Sequence, residues 1–194
     1  MSPLEIIGFV FGIAGIWLTI KENTWCFPAG LINVIVSLVL FYQQKLYSDA
    51  IQQFVYIILL SYGWYKWISG KIETEELKIS FSTRKLLIVL FLICVLFSAT
   101  AGTIFKNYTD ASLPYWDATA TALSFTAQWM IAKKKIENWI LWIVVNIMYI
   151  GIYVYKDLFL YAFLFFIYLI LAIQGWMEWR KAYQNKSVNP FHAS

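Results

Sequence analysis

Residues 56–67 read YIILLSYGWYKW, and residues 168–179 read YLILAIQGWMEW. Tyr56, Gly63, Trp64 and Trp67 of the first stretch match Tyr168, Gly175, Trp176 and Trp179 of the second at one constant offset of 112 residues. Each stretch closes an apolar run of about 20 residues, long enough for a helix to cross a hydrocarbon core of about 30 Å. Outward from these two, further runs of similar length fill the chain. The expected spans are Leu4–Ile20, Phe27–Gln43, Ala50–Ile68, Leu86–Phe105, Leu113–Ala132, Trp139–Tyr155 and Leu158–Trp179. Backbone polar groups find no water in hydrocarbon, so helices are the natural solution there. The expected fold class is therefore all-α and integral to the membrane.

Composition agrees. Of the 194 residues 61% are hydrophobic, 20% aromatic and only 13% charged, against about 25% charged in an ordinary soluble domain. No stretch is left over for a soluble domain, so residues 1–194 read as one transmembrane domain. The first run lacks a basic leading end and a convincing cleavage site, and reads as a retained helix rather than a signal peptide. The net charge of +4 is no sign of nucleic-acid binding, because the basic residues sit in loops between spans. Cys26 and Cys94 lie inside apolar runs and are expected to pack in the core rather than pair.

Loop charge gives the orientation. Lys21, Lys66, Lys71, Lys78, Arg84, Lys85, Lys133, Lys134, Lys135, Arg180, Lys181 and Lys186 fall on one side of the spans, and only Lys45, Lys106 and Lys156 on the other. Cytoplasmic loops carry the excess of Lys and Arg. The N-terminus is expected outside and the C-terminus in the cytoplasm of a bacterial inner membrane.

The offset match extends to organisation. Spans one to three, about 4–69, are expected to repeat as spans five to seven, about 113–180, with a linker helix at about 86–105. Three spans invert the chain and the fourth restores it, so the repeats are parallel. Such repeats are a transporter architecture, with the site near midplane between the halves. Upstream, Trp25 and Asn33 loosely echo Trp139 and Asn146, with small gaps. The Gly-Trp-x-x-Trp ending has a second reading as an interfacial aromatic belt, which leaves the matching Tyr and Gly unexplained.

Enzyme chemistry finds little to work with. The single histidine, His192, is near the C-terminus, outside every span. There is no His/Cys/Asp/Glu cluster at metal-ligand spacing, no Gly-rich phosphate loop and no serine with a plausible triad. No enzyme activity, cofactor or metal is expected.

Polar residues inside spans are the informative ones, since they are costly in lipid and face the bundle interior. Trp139, Trp142 and Asn146 share one helical face by the i, i+3, i+7 rule. Two indoles and an amide suit a flat aromatic ring bearing a carboxamide, and the indole faces also attract cations. The alternative is a belt at the surface plus one helix–helix hydrogen bond from Asn146. Asp117, Thr121, Ser124 and Gln128 form a polar stripe on the fifth span, Asp117 near its outer, solvated end. Asn33 with Ser37 supplies a polar face to the second span, and Gln52 with Tyr56 to the third. The expected substrate-binding set is Trp139, Trp142, Asn146, Gln128, Thr121, Ser124, Asn33, Gln52 and Tyr56.

Trp25-x-x-Pro28-x-Gly30, Leu46-Tyr47-x-Asp49, Tyr62-Gly63-Trp64-Tyr65-x-Trp67 and Trp139-x-x-Trp142-x-x-x-Asn146 occur in an order and spacing that resembles the nicotinamide riboside transporters, the PnuC family. The resemblance covers most of the chain. It implies a full-length fold like the SWEET sugar transporters, with two three-helix bundles joined by the fourth helix around one site. It also implies facilitated diffusion, trapping of the vitamin by cytoplasmic phosphorylation, and a homotrimer in the lipid bilayer. Members differ in cargo, from nicotinamide riboside to thiamine, deoxynucleosides or riboflavin. Nicotinamide riboside and thiamine are both flat cations, whose entry a negative-inside potential favours by about 2.3 kcal/mol per charge per 100 mV. Asn146 and Gln128 can pair with a carboxamide, which favours nicotinamide riboside, with thiamine as the alternative. From other classes, a membrane enzyme or scaffold would call for a histidine or acid cluster, and a channel would conduct without saturating at low solute.

Overall fold

The structure is a computed structural model that describes residues 3–43, 47–72, 77–108, 112–155 and 157–188; Lys45, Leu46, Lys156 and His192 lie outside them. Seven helices follow one another: α1 (Pro3–Ile20), α2 (Cys26–Gln43), α3 (Tyr47–Ile72), α4 (Arg84–Tyr108), α5 (Pro114–Ala132), α6 (Asn138–Tyr155) and α7 (Phe159–Val188). Each corresponds to one expected span, and α7 continues beyond Trp179 along a charged stretch. α1, α2, α4, α6 and α7 are long and apolar enough to cross a membrane. α3 and α5 are more polar, with Gln52, Gln53 and Tyr56 on one and Asp117, Thr121, Ser124 and Gln128 on the other. These two pack against each other, which is how polar helices are accommodated in lipid.

The helices close a ring. α1 packs on α2, α2 on α3, α3 on α5, α5 on α6, α6 on α7 and α7 back on α1, while α4 packs against α5. Within lipid no hydrophobic force drives one helix onto another, so close backbone approach and interhelical hydrogen bonds matter more. On α1, Gly15 faces the backbone of α2, where an added Cβ would lie 3.4 Å from the Gly30 nitrogen. One turn pair deeper, the Asn33 amide N–H donates to the Gly8 carbonyl at 2.7 Å. On α4, the Cys94 sulfur lies 3.1 Å from the Thr126 hydroxyl of α5. Both cysteines are buried and free.

α1, α3, α5 and α7 finish, and α2, α4 and α6 begin, at the end of the bundle that carries the lysine-rich loops. The largest fully buried side chains collect at this basic end, among them Trp67, Trp139, Trp179, Phe27, Met130 and Ile136. Trp67 and Trp179 are 2% and 1% exposed, so they are interior braces and not members of an interfacial belt. Trp17 and Trp25, at 49% and 69% exposed, are indoles left outside at this end.

The contacts at this end come in matching sets. The Trp67 indole N–H donates to the Ile131 carbonyl at 3.2 Å, and the Trp179 indole N–H to the Thr19 and Ile20 carbonyls at 3.3 and 3.2 Å. Phe27 stands edge-on to Trp67, with centroids 5.0 Å apart at 88°. Trp139 stands edge-on to Trp179, 5.4 Å apart at 88°. Gly63 leaves the space that Phe27 fills, and Gly175 the space for Trp139. α1 and α5 end in the same cap. Glu22 and Lys134 take left-handed φ values of 52° and 48°. Their backbone N–H groups donate to Thr19 and Ile131, and those of Asn23 and Lys135 to Leu18 and Met130, the Schellman pattern. Corresponding residues in all these pairs are as far apart in sequence as Glu22 and Lys134, 112 positions. At this offset Trp139 stands against Phe27 and Asn146 against Val34, so matching them to Trp25 and Asn33 requires small gaps.

The connection from α3 to α4 is more than a tether. Ser80 forms a parallel bridge with Lys135, through Ser80 N–H to the Lys134 carbonyl and Ile136 N–H to the Ser80 carbonyl, both at 3.1 Å. The Ser82 backbone N–H donates to the Glu137 carboxylate at 2.7 Å. Ile79 is buried in the core cluster with Trp67, Trp139 and Trp179.

A Cβ on Gly175 would lie 2.5 Å from the Trp139 ring, and one on Gly63 2.6 Å from Phe27, whereas nothing lies within 4 Å of one on Gly151. Overpacking of this kind costs about 1–3 kcal/mol. Gly175→Ala and Gly63→Ala are expected to lower the melting temperature in detergent, and Gly151→Ala to leave it unchanged or raise it, as read by tryptophan fluorescence on heating.

Candidate functional site

Helical arithmetic places the polar residues in levels. α5 descends to the basic end and α6 rises from it, at about 1.5 Å per residue. Gln128 and Trp142 therefore stand at similar depth, about one turn in. Ser124 and Asn146 stand about two turns in, and Thr121 with Tyr149 about three. The contacts agree: the Tyr149 hydroxyl is within hydrogen-bonding reach of Thr121 and of Gln52 on α3. The Tyr56 hydroxyl reaches Ser124 and Gln52. Ser124 itself donates to the Ala120 carbonyl at 2.7 Å. Gln52 and Tyr56 of α3, Thr121 and Ser124 of α5 and Tyr149 of α6 thus form one row of polar groups.

Burial sorts the remaining candidates. Asn146 is 3% exposed, and Ser124 and Gln128 are also buried. Trp142 is partly buried and packs against the core cluster. Trp139 is drawn toward the basic end, under Trp179 and beside Gly175, and its indole N–H is buried without a hydrogen-bond partner. Asn33 stands apart from the row. Its amide is engaged with Gly8, and with the Tyr168 hydroxyl it occupies the space that a Cβ on Gly12 would need. The structure therefore brings Gln52, Tyr56, Thr121 and Ser124 together, sets Asn146, Gln128 and Trp142 beside them on α5 and α6, and leaves Asn33 at the α1–α2 seam.

Tyr149 and Tyr153 belong to this region and were missed. Both lie on the stripe that runs 139, 142, 146, 149, 153 along α6, so extending the same helical rule by two steps would have found them. Their rings pack with Phe165 at 4.8 and 5.3 Å. Asp49 and Asp117, in the first turns of α3 and α5, are close enough to act electrostatically on Tyr149 and Tyr153. The end opposite the lysines is thus acidic at its mouth and lined by tyrosine below. Asp117 is half-buried there rather than fully solvated.

The arrangement can bind a flat polar solute through amides, hydroxyls and ring faces. Among the described residues no three His, Cys, Asp or Glu side chains could hold a metal ion. The surface grooves lie elsewhere. One is lined by Leu38, Tyr42, Ala50, Ile51 and Phe54, the other by Ala99, Thr100, Thr103 and Ile104 on α4, and neither includes a candidate.

Comparison with known proteins gives consistent results. The chain is 26% identical over 205 residues to the nicotinamide riboside transporter PnuC of Escherichia coli strain K12, covering 92% of this chain and 85% of that one. It is 23% identical over 178 residues to the riboflavin/roseoflavin transporter RibM of Streptomyces davaonensis, covering 90% and 83%. A solved structure described as the crystal structure of the vitamin B3 transporter PnuC superposes with a TM-score of 0.77 at 24% identity, over 94% of this chain and 82% of that one, and so shares the fold. These relatives are transporters, not enzymes. A model described as the nicotinamide mononucleotide transporter matches residues 2–181, and the chain belongs to that family of multi-pass membrane transport proteins.

Proposed function

We propose that the protein takes up nicotinamide riboside by facilitated diffusion with alternating access, the vitamin being trapped by phosphorylation in the cytoplasm. The observation that carries this reading is the row of the partly buried Gln52, Tyr56 and Thr121 and the buried Ser124, with the buried Asn146 alongside. It is a hydrogen-bonding surface inside a helical ring in a chain related to nicotinamide riboside transporters. An unpartnered polar group in an apolar medium costs a few kcal/mol, so the row is best understood as built to receive polar cargo. Trp142 and Gln128 would bound the site toward the basic end, with Trp139 closing it, and Asn33 would contribute from α2.

On this reading residues 4–69 and 113–180 are parallel repeats joined by the helix at 86–105, in a SWEET-like arrangement. The paired contacts at the basic end support it, because Trp67 reaches from the first half to α5 and Trp179 from the second half to α1. The basic end would face the cytoplasm and the acidic mouth the outside, where Asp49 and Asp117 would attract a cation. The resemblance further implies a homotrimer.

The riboflavin/roseoflavin relative supports a second cargo of the same shape class, and thiamine is a third. A thermal-shift panel with nicotinamide riboside, thiamine, riboflavin and nucleosides separates them, since a ligand that binds only the native state raises the melting temperature by mass action. Nicotinamide riboside is expected to give the largest shift and to enter proteoliposomes saturably. No shift and no uptake with any of these compounds would overturn the carrier reading.

Asn146→Ala is expected to weaken nicotinamide riboside binding by about 5- to 100-fold, the worth of a buried hydrogen bond of about 1–3 kcal/mol, with folded yield kept. Trp142→Ala should also weaken binding. Trp139→Ala is expected to lower folded yield, because it removes the support under Trp179. Calorimetric titration and gel filtration read the two effects apart, and unchanged affinity in Asn146→Ala and Trp142→Ala would remove the site assignment.

A reporter that fluoresces only in the cytoplasm, fused at the C-terminus, is expected to be bright in cells, and fused at the N-terminus to be dark. The reverse pattern would invert the proposed orientation.

A further inference from the structure

We propose that the Glu22–Lys134 ion pair is a latch that holds the basic end shut and must part for solute to leave there; the proposal rests on the carrier reading above. The Lys134 Nζ lies 2.8 Å from the Glu22 carboxylate, with the side chains 13% and 26% exposed. The two residues cap α1 and α5, so the pair spans the two halves. Lys21–Glu178 also runs between them, but at 3.9 Å with both side chains 46% exposed, where solvent screens it.

Backbone conformation favours neither residue, and only Lys134 has the charge that suits a helix C-terminus. Both occupy the left-handed position of a Schellman cap, where glycine is the unstrained choice. A carboxylate at the C-terminus of a helix also faces the negative end of its dipole. Glu22 is therefore unfavourable in backbone conformation and in charge, and gains only through Lys134. A residue kept against both preferences is there for its side chain.

The surroundings fit a closure. Lys134 lies over the Trp67 ring, 4.7 Å from its centroid, and Trp67 donates to Ile131, three residues before Lys134 in the same cap. Trp179 donates to Thr19, three residues before Glu22. The Trp67 and Trp179 rings are 6.3 Å apart. Separation of the halves at this end must break the indole bonds and the ion pair together. A partly exposed ion pair suits that task, because both charges regain water when parted and the net cost of opening stays small.

Cys26 supplies a native reporter. It begins α2 at the basic end, is buried, and is within hydrogen-bonding reach of Thr19. With Cys94→Ser as parent, Cys26 is the remaining thiol. The measurement is the rate at which a maleimide modifies Cys26 in purified protein in detergent, with gel filtration to verify folding. Glu22→Gln and Lys134→Met are each expected to raise the rate on the order of tenfold by populating the open end. Glu22→Gly, which removes the carboxylate and relieves the backbone, should do the same in a protein at least as well folded. The exchange Glu22→Lys with Lys134→Glu is expected to bring the rate back toward the parent, because both caps hold the same conformation. Parent-like rates in the single variants would overturn the latch, as would an exchange variant as reactive as they are. Uptake in proteoliposomes is scored separately. Vitamin uptake by the parent with unaltered Cys26 rates removes the latch alone, and raised rates without uptake of any vitamin remove the carrier reading alone.

Discussion

Two indole N–H groups hold the molecule in its observed shape. Trp67 and Trp179 each reach out of their own three-helix group to the terminal carbonyls of a helix in the other. Those carbonyls are among the last four of α5 and α1, which no helix can satisfy internally. The cap N–H groups of Glu22 and Lys134 reach the Thr19 and Ile131 carbonyls, and the indoles add a second donor there and a donor to Ile20. From this exchange follow the small residues at Gly63 and Gly175, the edge-on rings of Phe27 and Trp139, and the facing caps that bring Glu22 to Lys134.

The polar interior obeys the same logic at the other end of the scale. Hydrocarbon offers no partner for an amide or hydroxyl, so the helices that carry them, α3 and α5, sit against each other with α6 beside them. A soluble protein could leave Gln52 or Thr121 facing solvent. Here they lie beside Tyr149 and Tyr56 instead, and on the proposed carrier reading this partly buried row would give a polar solute something to bind.

Much of this was legible in the sequence because its signals are local. Apolar runs of membrane length located all seven helices, and the periodicity of 117, 121, 124, 128 and of 139, 142, 146 identified the inward faces. The Gly-Trp-x-x-Trp identity located the contact residues, but its second reading, an interfacial belt, suggested the wrong environment for Trp67 and Trp179. A tryptophan at a helix end beside lysines reads as a belt residue, and only the tertiary structure shows Trp67 and Trp179 covered by the opposite half. Asn33 illustrates a similar limit of local signals. An intramembrane asparagine signals a need for a partner without naming it, and the Gly8 carbonyl accepts from it here. Tyr149 and Tyr153 went unnoticed because tyrosine in so aromatic a chain carries little contrast. The role of residues 77–83 was invisible, since a polar connection shows no periodicity and its pairing partner lies more than fifty positions away.

That connection has a mechanical consequence. It is stitched to the α5–α6 loop through Ser80 and Ser82, and α4, which follows it, lies along α5. On the carrier reading proposed above, the moving units would therefore be unequal in size: α1–α3 the lighter partner, with α4 riding as ballast on α5–α7. The heavier body would then be the stator and the first three helices the arm that swings.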